Sequence, residues 1–250
     1  MRPSIRTGAS LRIIVLLWMG FSGYRERAPW RDLPKEFDKW SSVYRQFRRW
    51  TLAGLWENIL DALNRVGVAP DKLQTVDIEP VCATGSSEPA RVIRAHHHAV
   101  GEKWGLLTRD RWPFERWVRD QIHLRVNGAG LPMRTEITPG QDSDDTGYDL
   151  VMADNLPQPP LIADKGYDSD KIRENIEGRN APPMMPMREN RKVRTVVDMT
   201  IYTLRNMVER CFNKLKSSPR LATRYDKTAG SFLGFVDIAC TRLWLSHLPT

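Results

Sequence analysis

Four polar residues toward the C-terminal end, Tyr202, Arg205, Glu209 and Lys216, are spaced so that one helix would carry them on one side. At about 100° per residue, with Tyr202 at zero, Arg205 falls at about 300°, Glu209 at about 340° and Lys216 at about 320°. Leu204, Val208, Cys211 and Leu215 fall between about 180° and about 240°, an adjacent apolar stripe suited to face a core. One acid thus sits among two cations and a phenol while the other side anchors the helix. That set suits chemistry on a polyanion. Carboxylate oxygens are hard ligands for a divalent cation, and neighbouring cations neutralise phosphate oxygens. An ordinary solvated face shows the same spacing, and on spacing alone that plainer reading is the stronger.

The order Tyr-x2-Arg-x3-Glu-x6-Lys resembles the signature of DDE transposases from bacterial insertion sequences. The surrounding Leu204-Arg205-Asn206-x-Val208-Glu209-Arg210-x-Phe212-Asn213-x-Leu215-Lys216 and Arg224-Tyr225-Asp226-Lys227 resemble the insertion-sequence-five branch in particular. The similarity runs, with gaps, through roughly the C-terminal half and resumes near Ala28 to Trp56. It implies an α/β fold with a ribonuclease-H-like (retroviral-integrase-like) catalytic domain and a small helical N-terminal domain. It also implies cleavage of element ends and DNA strand transfer by two-metal phosphoryl transfer, with Mg2+ as cofactor and Mn2+ able to substitute. The implied partner is double-stranded DNA, both terminal inverted repeats and target, bound by a homo-oligomer in the cytoplasm and away from membranes.

Phosphoryl transfer of this kind uses two divalent cations about 4 Å apart, one activating the attacking oxygen and one stabilising the leaving oxygen. Asp164, in Asp164-Lys165-Gly166-Tyr167-Asp168, and Glu209 match the family's second and third acids in local context. The first acid is less direct. Val92-Ile93-Arg94-Ala95-His96 matches the segment that follows that aspartate, but Glu88-Pro89-Ala90-Arg91 stands where the aspartate is expected. Asp77, at the end of a strand-like Leu73-Gln74-Thr75-Val76, is the preferred candidate, with Glu88 the competitor. Asp77, Asp164 and Glu209 are therefore the expected catalytic and metal-binding set. The resemblance assigns Tyr202, Arg205 and Lys216 to DNA near the cleaved phosphate.

The chain's balance agrees with a polyanionic partner: 250 residues, net charge +8, 41% hydrophobic and 27% charged residues describe a basic globular protein. Basic residues cluster at Arg188, Arg191, Lys192 and Arg194, and again at Arg45, Arg48 and Arg49; both groups are candidate DNA contacts. Three scattered cysteines, Cys82, Cys211 and Cys240, give neither a disulfide framework nor zinc spacing, as in a reducing cytosol. Arg2, Arg6 and Arg12 before Ile13 to Met19 imitate a signal peptide, but the apolar run falls far short of the roughly 20 residues that span a bilayer. A buried helix is expected there instead.

Two units follow from the pattern, residues 1–70 and 71–250. In the first, Trp40, Val43, Tyr44, Phe47 and Trp50 recur at helical spacing, Gly54 interrupts, and Trp56, Ile59, Leu60 and Leu63 form a second helix. The aromatics are core candidates, with the arginines on the outer face. In the second, Ile122–Val126 and Met133–Ile137 alternate around Asn127-Gly128-Ala129-Gly130 as a β-hairpin. Leu161-Ile162-Ala163 is a short strand ending at Asp164, Asp168 or Ser169 caps the next helix, residues 182–186 are extended, and a last helix covers Phe232 to Leu245.

Two stretches depart from the family. Residues 78–91 read as inserted or rewritten. In residues 103–121 the Gly-rich basic peptide of the family is replaced by Trp112-Pro113-Phe114-Glu115-Arg116-Trp117-Val118-Arg119-Asp120, which a one-base frame shift would convert toward it. A decaying copy, retained only as a DNA-binding remnant, is one alternative to an active transposase; a structure-specific nuclease on the same fold is another. His96-His97-His98 is a poor metal tract, because adjacent strand residues point to opposite faces.

Overall fold

The computed structural model describes residues 30–32, 39–66, 73–83, 93–95, 120–140, 142–153, 160–189, 191 and 197–247. The expectations for residues 13–19, Glu88, the three histidines, most of residues 103–121, and Lys192 and Arg194 lie outside them. Among the described residues no helix is long and apolar enough to cross a membrane.

The aromatic-rich N-terminal pattern forms α1 (Trp40–Leu52) and α2 (Leu55–Val66), separated by the turn at Ala53 and Gly54. Their inner faces bury Val43, Phe47, Trp56 and Leu60, while Arg45, Arg48 and Arg49 point outward. This pair shares a hydrophobic core with the rest of the chain: Phe47 stacks on Phe235, with ring centres 4.6 Å apart. Polar ties add to it, from Asn64 to the Met133 carbonyl at 2.9 Å and from Arg134 to Glu57 at 2.7 Å.

The alternating segments form a mixed sheet: β1 (Gln74–Ala83), β2 (Ile93–Ala95), β3 (Asp120–Asn127), β4 (Pro132–Pro139), β5 (Leu161–Ala163), β6 (Pro183–Met184) and β7 (Thr223–Arg224). The path β4-β3-β1-β2-β7 begins with the expected antiparallel hairpin, closed by a turn in which the Gly130 N–H bonds the Asn127 carbonyl at 2.8 Å. On its other edge β1 changes neighbour. Its first residues pair in parallel with β5, ending at Val76 opposite Ala163, and its last pair in parallel with β2 from Val81 onward. Residues 77–80 lie between these two pairings.

One expectation for this strand is corrected. β1 does not end at Asp77 but continues to Ala83, so residues 78–83 of the segment read as inserted or rewritten are strand. Continuous pairing with β3, from Gln74 opposite Asn127 to Val81 opposite Asp120, carries the backbone past Pro80. A proline at an edge with no partner sacrifices no ladder bond there.

Helices cover both faces. Beside β5 lie α3 (Asp144–Val151) and α4 (Asp170–Gly178), around a core of Val76, Tyr148, Val151, Leu161, Tyr167, Ile172 and Ile176. The other face takes α6 (Asn206–Lys216) and α8 (Ala229–Leu245), preceded by short α5 (Met199–Tyr202) and α7 (Pro219–Ala222). On α8, Phe235, Ile238 and Trp244 are buried as their spacing predicts. Ser169, rather than Asp168, caps α4, its hydroxyl accepting from the Ile172 N–H at 3.3 Å.

Candidate active site

Strand alternation decides which side chains of β1 face α6. Val76 and Ile78 turn to the core beside β5, so Asp77, Glu79 and Val81 turn to the opposite face. The register then sets Asp77 and Asp164 side by side. Val76 pairs with Ala163, so Asp77 and Asp164 are the next positions on adjacent parallel strands. β5 stops at Ala163, and Asp164 heads a 3-10 turn over Lys165–Tyr167, where the Tyr167 N–H bonds its carbonyl at 3.0 Å. A crevice where a strand edge exchanges partners is where open α/β sheets bind ligands, because the backbone and side chains there have no neighbouring strand.

Glu209 arrives on the helical segment 199–216. This segment is α5, a 3-10 turn over Thr203–Arg205 and then α6, rather than one uniform helix. The tighter turn shifts the angular positions at its start. Leu204, expected in the apolar stripe, is consequently 44% exposed, whereas Val208, Cys211 and Leu215 are buried as expected and Phe212 joins them. The polar stripe survives the change. The Arg205 guanidinium donates to Asp77 Oδ2 at 3.0 Å and to Glu209 Oε1 at 2.7 Å. The Tyr202 hydroxyl donates to Asp164 Oδ1 at 3.4 Å, and Lys216 pairs with Glu79. Tyr202, Arg205 and Lys216 of the spaced motif thus each meet an acid, and Glu209 is one of those acids.

Burial raises the Asp77 carboxyl to about 6. The Ile78 N–H and Arg205 oppose that rise, and the negative charges of Asp164 and Glu209 add to it. Beneath the acids lies Tyr167, whose hydroxyl is pushed up by burial and by Asp77, Asp144 and Asp164. It is 3.4 Å from His123 Nδ1, and His123 Nε2 is 2.8 Å from the Thr138 hydroxyl. Burial holds His123 down to about 4, so a neutral imidazole underlies the acids. Gly166 lets a fourth carboxylate approach: a β-carbon there would lie 2.6 Å from Asp144 Oδ2.

The basic loop is tied to this end of the sheet. The buried Asp168 carboxylate accepts from Arg173 Nε at 2.7 Å, Arg191 Nε at 2.8 Å and the Arg188 N–H at 2.6 Å. Burial works against its ionisation, but these donors outweigh that and hold it below the usual carboxylate range. The Arg188 guanidinium donates to the Gly166 carbonyl at 2.7 Å, two residues from Asp164. Arg45, Arg48 and Arg49 lie on α1 instead, where Arg45 and Arg49 bond neighbours in their own helix.

Oxygen donors from carboxylates are the chemistry a hard divalent cation takes, and the undercompensated charge at Asp77 is what such a cation would relieve. The donor set fits. Among the described residues, though, no three acidic, histidine or cysteine side chains are grouped closely enough to hold an ion as they stand. Arg205 bridges Asp77 and Glu209. Sequence reasoning does not single out Glu79, Tyr167, His123 or Asp144. For Glu79 the alternation of Asp77, Glu79 and Val81 along one strand face is the available signal.

Comparison with known proteins identifies the family. Residues 90–244 match the family described as "Transposase DDE domain", and residues 21–60 match "Putative transposase of IS4/5 family". A Brucella ovis protein named "Putative transposase for insertion sequence element IS6501" is 33% identical over 126 residues, which is 50% of this chain and 97% of that one. An uncharacterised Sinorhizobium fredii protein, y4sN, is 32% identical over 98 residues, covering 39% of this chain and 64% of its own. No solved structure matches. With the Transposase DDE domain matching residues 90–244, more than half of its length, the chain belongs to the DDE transposases of bacterial insertion sequences.

Proposed function

We propose that Asp77, Asp164 and Glu209 are the three acids through which this transposase acts, on a ribonuclease-H-like core formed by β1, β3, β4 and β5. The observation that carries this reading is the register of β1 against β5, which sets Asp77 and Asp164 side by side under the helix that brings Glu209. Mg2+, with Mn2+ able to substitute, is the cofactor the acids suit. When bound, it would activate the attacking oxygen and stabilise the leaving oxygen at the phosphate.

The chain's own residues do the remainder. Asp77 and Asp164 hold their carboxylates in fixed places because each lies on, or one residue beyond, a paired strand. Glu209 is held by a helix whose Val208, Cys211, Phe212 and Leu215 are buried in the core. Tyr202, Arg205 and Lys216 line the same stripe, Arg188 donates to the Gly166 carbonyl two residues beyond Asp164, and Arg191 pairs with Asp168 and Asp170; these are proposed to take the DNA phosphates. Lys192 and Arg194 continue that basic segment in sequence. Arg45, Arg48 and Arg49, exposed on α1 within the N-terminal unit of residues 1–70, are proposed to contact the element's terminal repeats. The protein would act as a homo-oligomer on DNA in the cytoplasm.

The test is purified protein with labelled element ends and Mg2+, scored for both cleavage and strand joining. Both activities are expected from the wild type, and Glu209→Gln is expected to lose both while still binding ends. Cleavage at wild-type rate by Glu209→Gln would remove Glu209 from the site. Cleavage without joining would favour a nuclease, and end binding with neither activity would favour a DNA-binding remnant.

A further inference from the structure

The three acids are each already engaged by a donor from the helical segment that carries Glu209. Tyr202 reaches Asp164, and the two arms of the Arg205 guanidinium reach Asp77 and Glu209. A guanidinium forked between two carboxylates satisfies them in the direction a divalent cation would otherwise use. Its position is not enforced by deep burial. The Arg205 side chain is 25% exposed and that of Glu209 40%, so the fork opens toward solvent on the face where DNA would lie. Arg205 also stands at the last residue of the 3-10 turn, where a small backbone adjustment redirects the side chain.

We propose that Arg205 is a built-in counter-cation that holds Asp77 and Glu209 away from divalent ions until a DNA phosphate draws the guanidinium out. This rests on the assignment of Asp77, Asp164 and Glu209 as the metal-holding acids. The phosphate is a suitable competitor because it accepts the same bidentate fork as a carboxylate. Once the guanidinium has moved, the two acids regain their full charge toward an ion, and Arg205 neutralises the strand. Metal loading and DNA binding are then coupled, and by linkage each strengthens the other by the same factor.

The probe is Mn2+ alone, its binding to the full chain followed by electron paramagnetic resonance of the free ion, with and without duplex DNA carrying the element ends. Without DNA, Arg205→Gln is expected to bind Mn2+ about tenfold to a hundredfold more tightly than wild type, as removal of a unit charge a few ångströms from the ligands implies. Arg205→Lys, which keeps the charge, should stay close to wild type. Saturating DNA should close most of the gap between Arg205→Gln and wild type. Wild-type DNA affinity should rise with Mn2+ by the factor by which DNA tightens Mn2+.

Arg205→Met, which keeps the aliphatic stem, replaces Arg205→Gln if thermal melting shows the latter misfolded. Binding of Mn2+ no tighter in these neutral variants than in wild type would overturn the proposal, provided Glu209→Gln weakens it. If Glu209→Gln leaves Mn2+ binding unchanged, the acids are not the metal site, and the underlying reading falls together with the proposal.

Discussion

Replacing Asp77 by Asn exposes the conflict between stability and chemistry at this site. The Asp77 side chain is 14% exposed, and burial first, then Asp164 and Glu209, raise its carboxyl to about 6 against an ordinary value of 3.8. Ionising it in the folded protein therefore costs about 3 kcal/mol more than in the unfolded chain, even with Arg205 beside it. An acid whose folded value is raised binds more protons in the native state between pH 3.8 and about 6. Its unfavourable contribution is accordingly absent below 3.8, grows as pH rises through that window and is complete above 6. Asn keeps the shape without the charge. Asp77→Asn should thus raise the melting temperature in EDTA at pH 8, by several degrees if the full ~3 kcal/mol is recovered. Near pH 4, where the wild-type carboxyl is largely protonated, the advantage should almost vanish. The same variant should lose Mg2+-dependent cleavage and any stabilisation by Mg2+. Differential scanning fluorimetry at the two pH values, with and without Mg2+, reads all of this. A variant no more stable than wild type at pH 8, or equally favoured at both pH values, would refute the reasoning.

Three further outcomes are expected. Neutralising Arg188, Lys192 and Arg194 should lower the salt dependence of DNA binding by about one unit of log–log slope for each phosphate no longer neutralised, measured by fluorescence anisotropy; an unchanged slope would make this segment a solvated connector. Arg191→Gln should additionally lower the melting temperature, because it removes a donor from the buried Asp168 carboxylate. Gly147→Ala should destabilise by about 3 kcal/mol or more, since a β-carbon there would lie 2.0 Å from the His123 ring; a melting temperature equal to wild type would mean α3 can shift off β3 at little cost.

The spacing of Tyr202, Arg205, Glu209 and Lys216 survives in the fold because helical periodicity is local: neighbours three and four apart share a side whatever the tertiary context. The same holds for the hairpin around Asn127–Gly130, the short strand before Asp164, and the buried faces of α1, α2 and α8, each set by which residues are apolar at which interval. Leu204 shows where that locality fails, because one 3-10 turn is enough to rotate a predicted core residue to the surface. Strand length is likewise not legible. The strand reads as ending at Asp77, and only pairing with β3, distant in sequence, extends β1 to Ala83.

The sequence by itself determined the residue types available for chemistry and, through short-range periodicity, which of them share a helix face. Tertiary structure alone decided their partners: that Asp77 lies beside Asp164, that Lys216 meets Glu79, that Asp168 gathers Arg173, Arg188 and Arg191, and that Arg205 bridges two acids. Those pairings depend on strand register and on the packing of helices against both faces of a sheet. Both are properties of chain segments far apart in sequence, which meet only when burial of the common core brings them together.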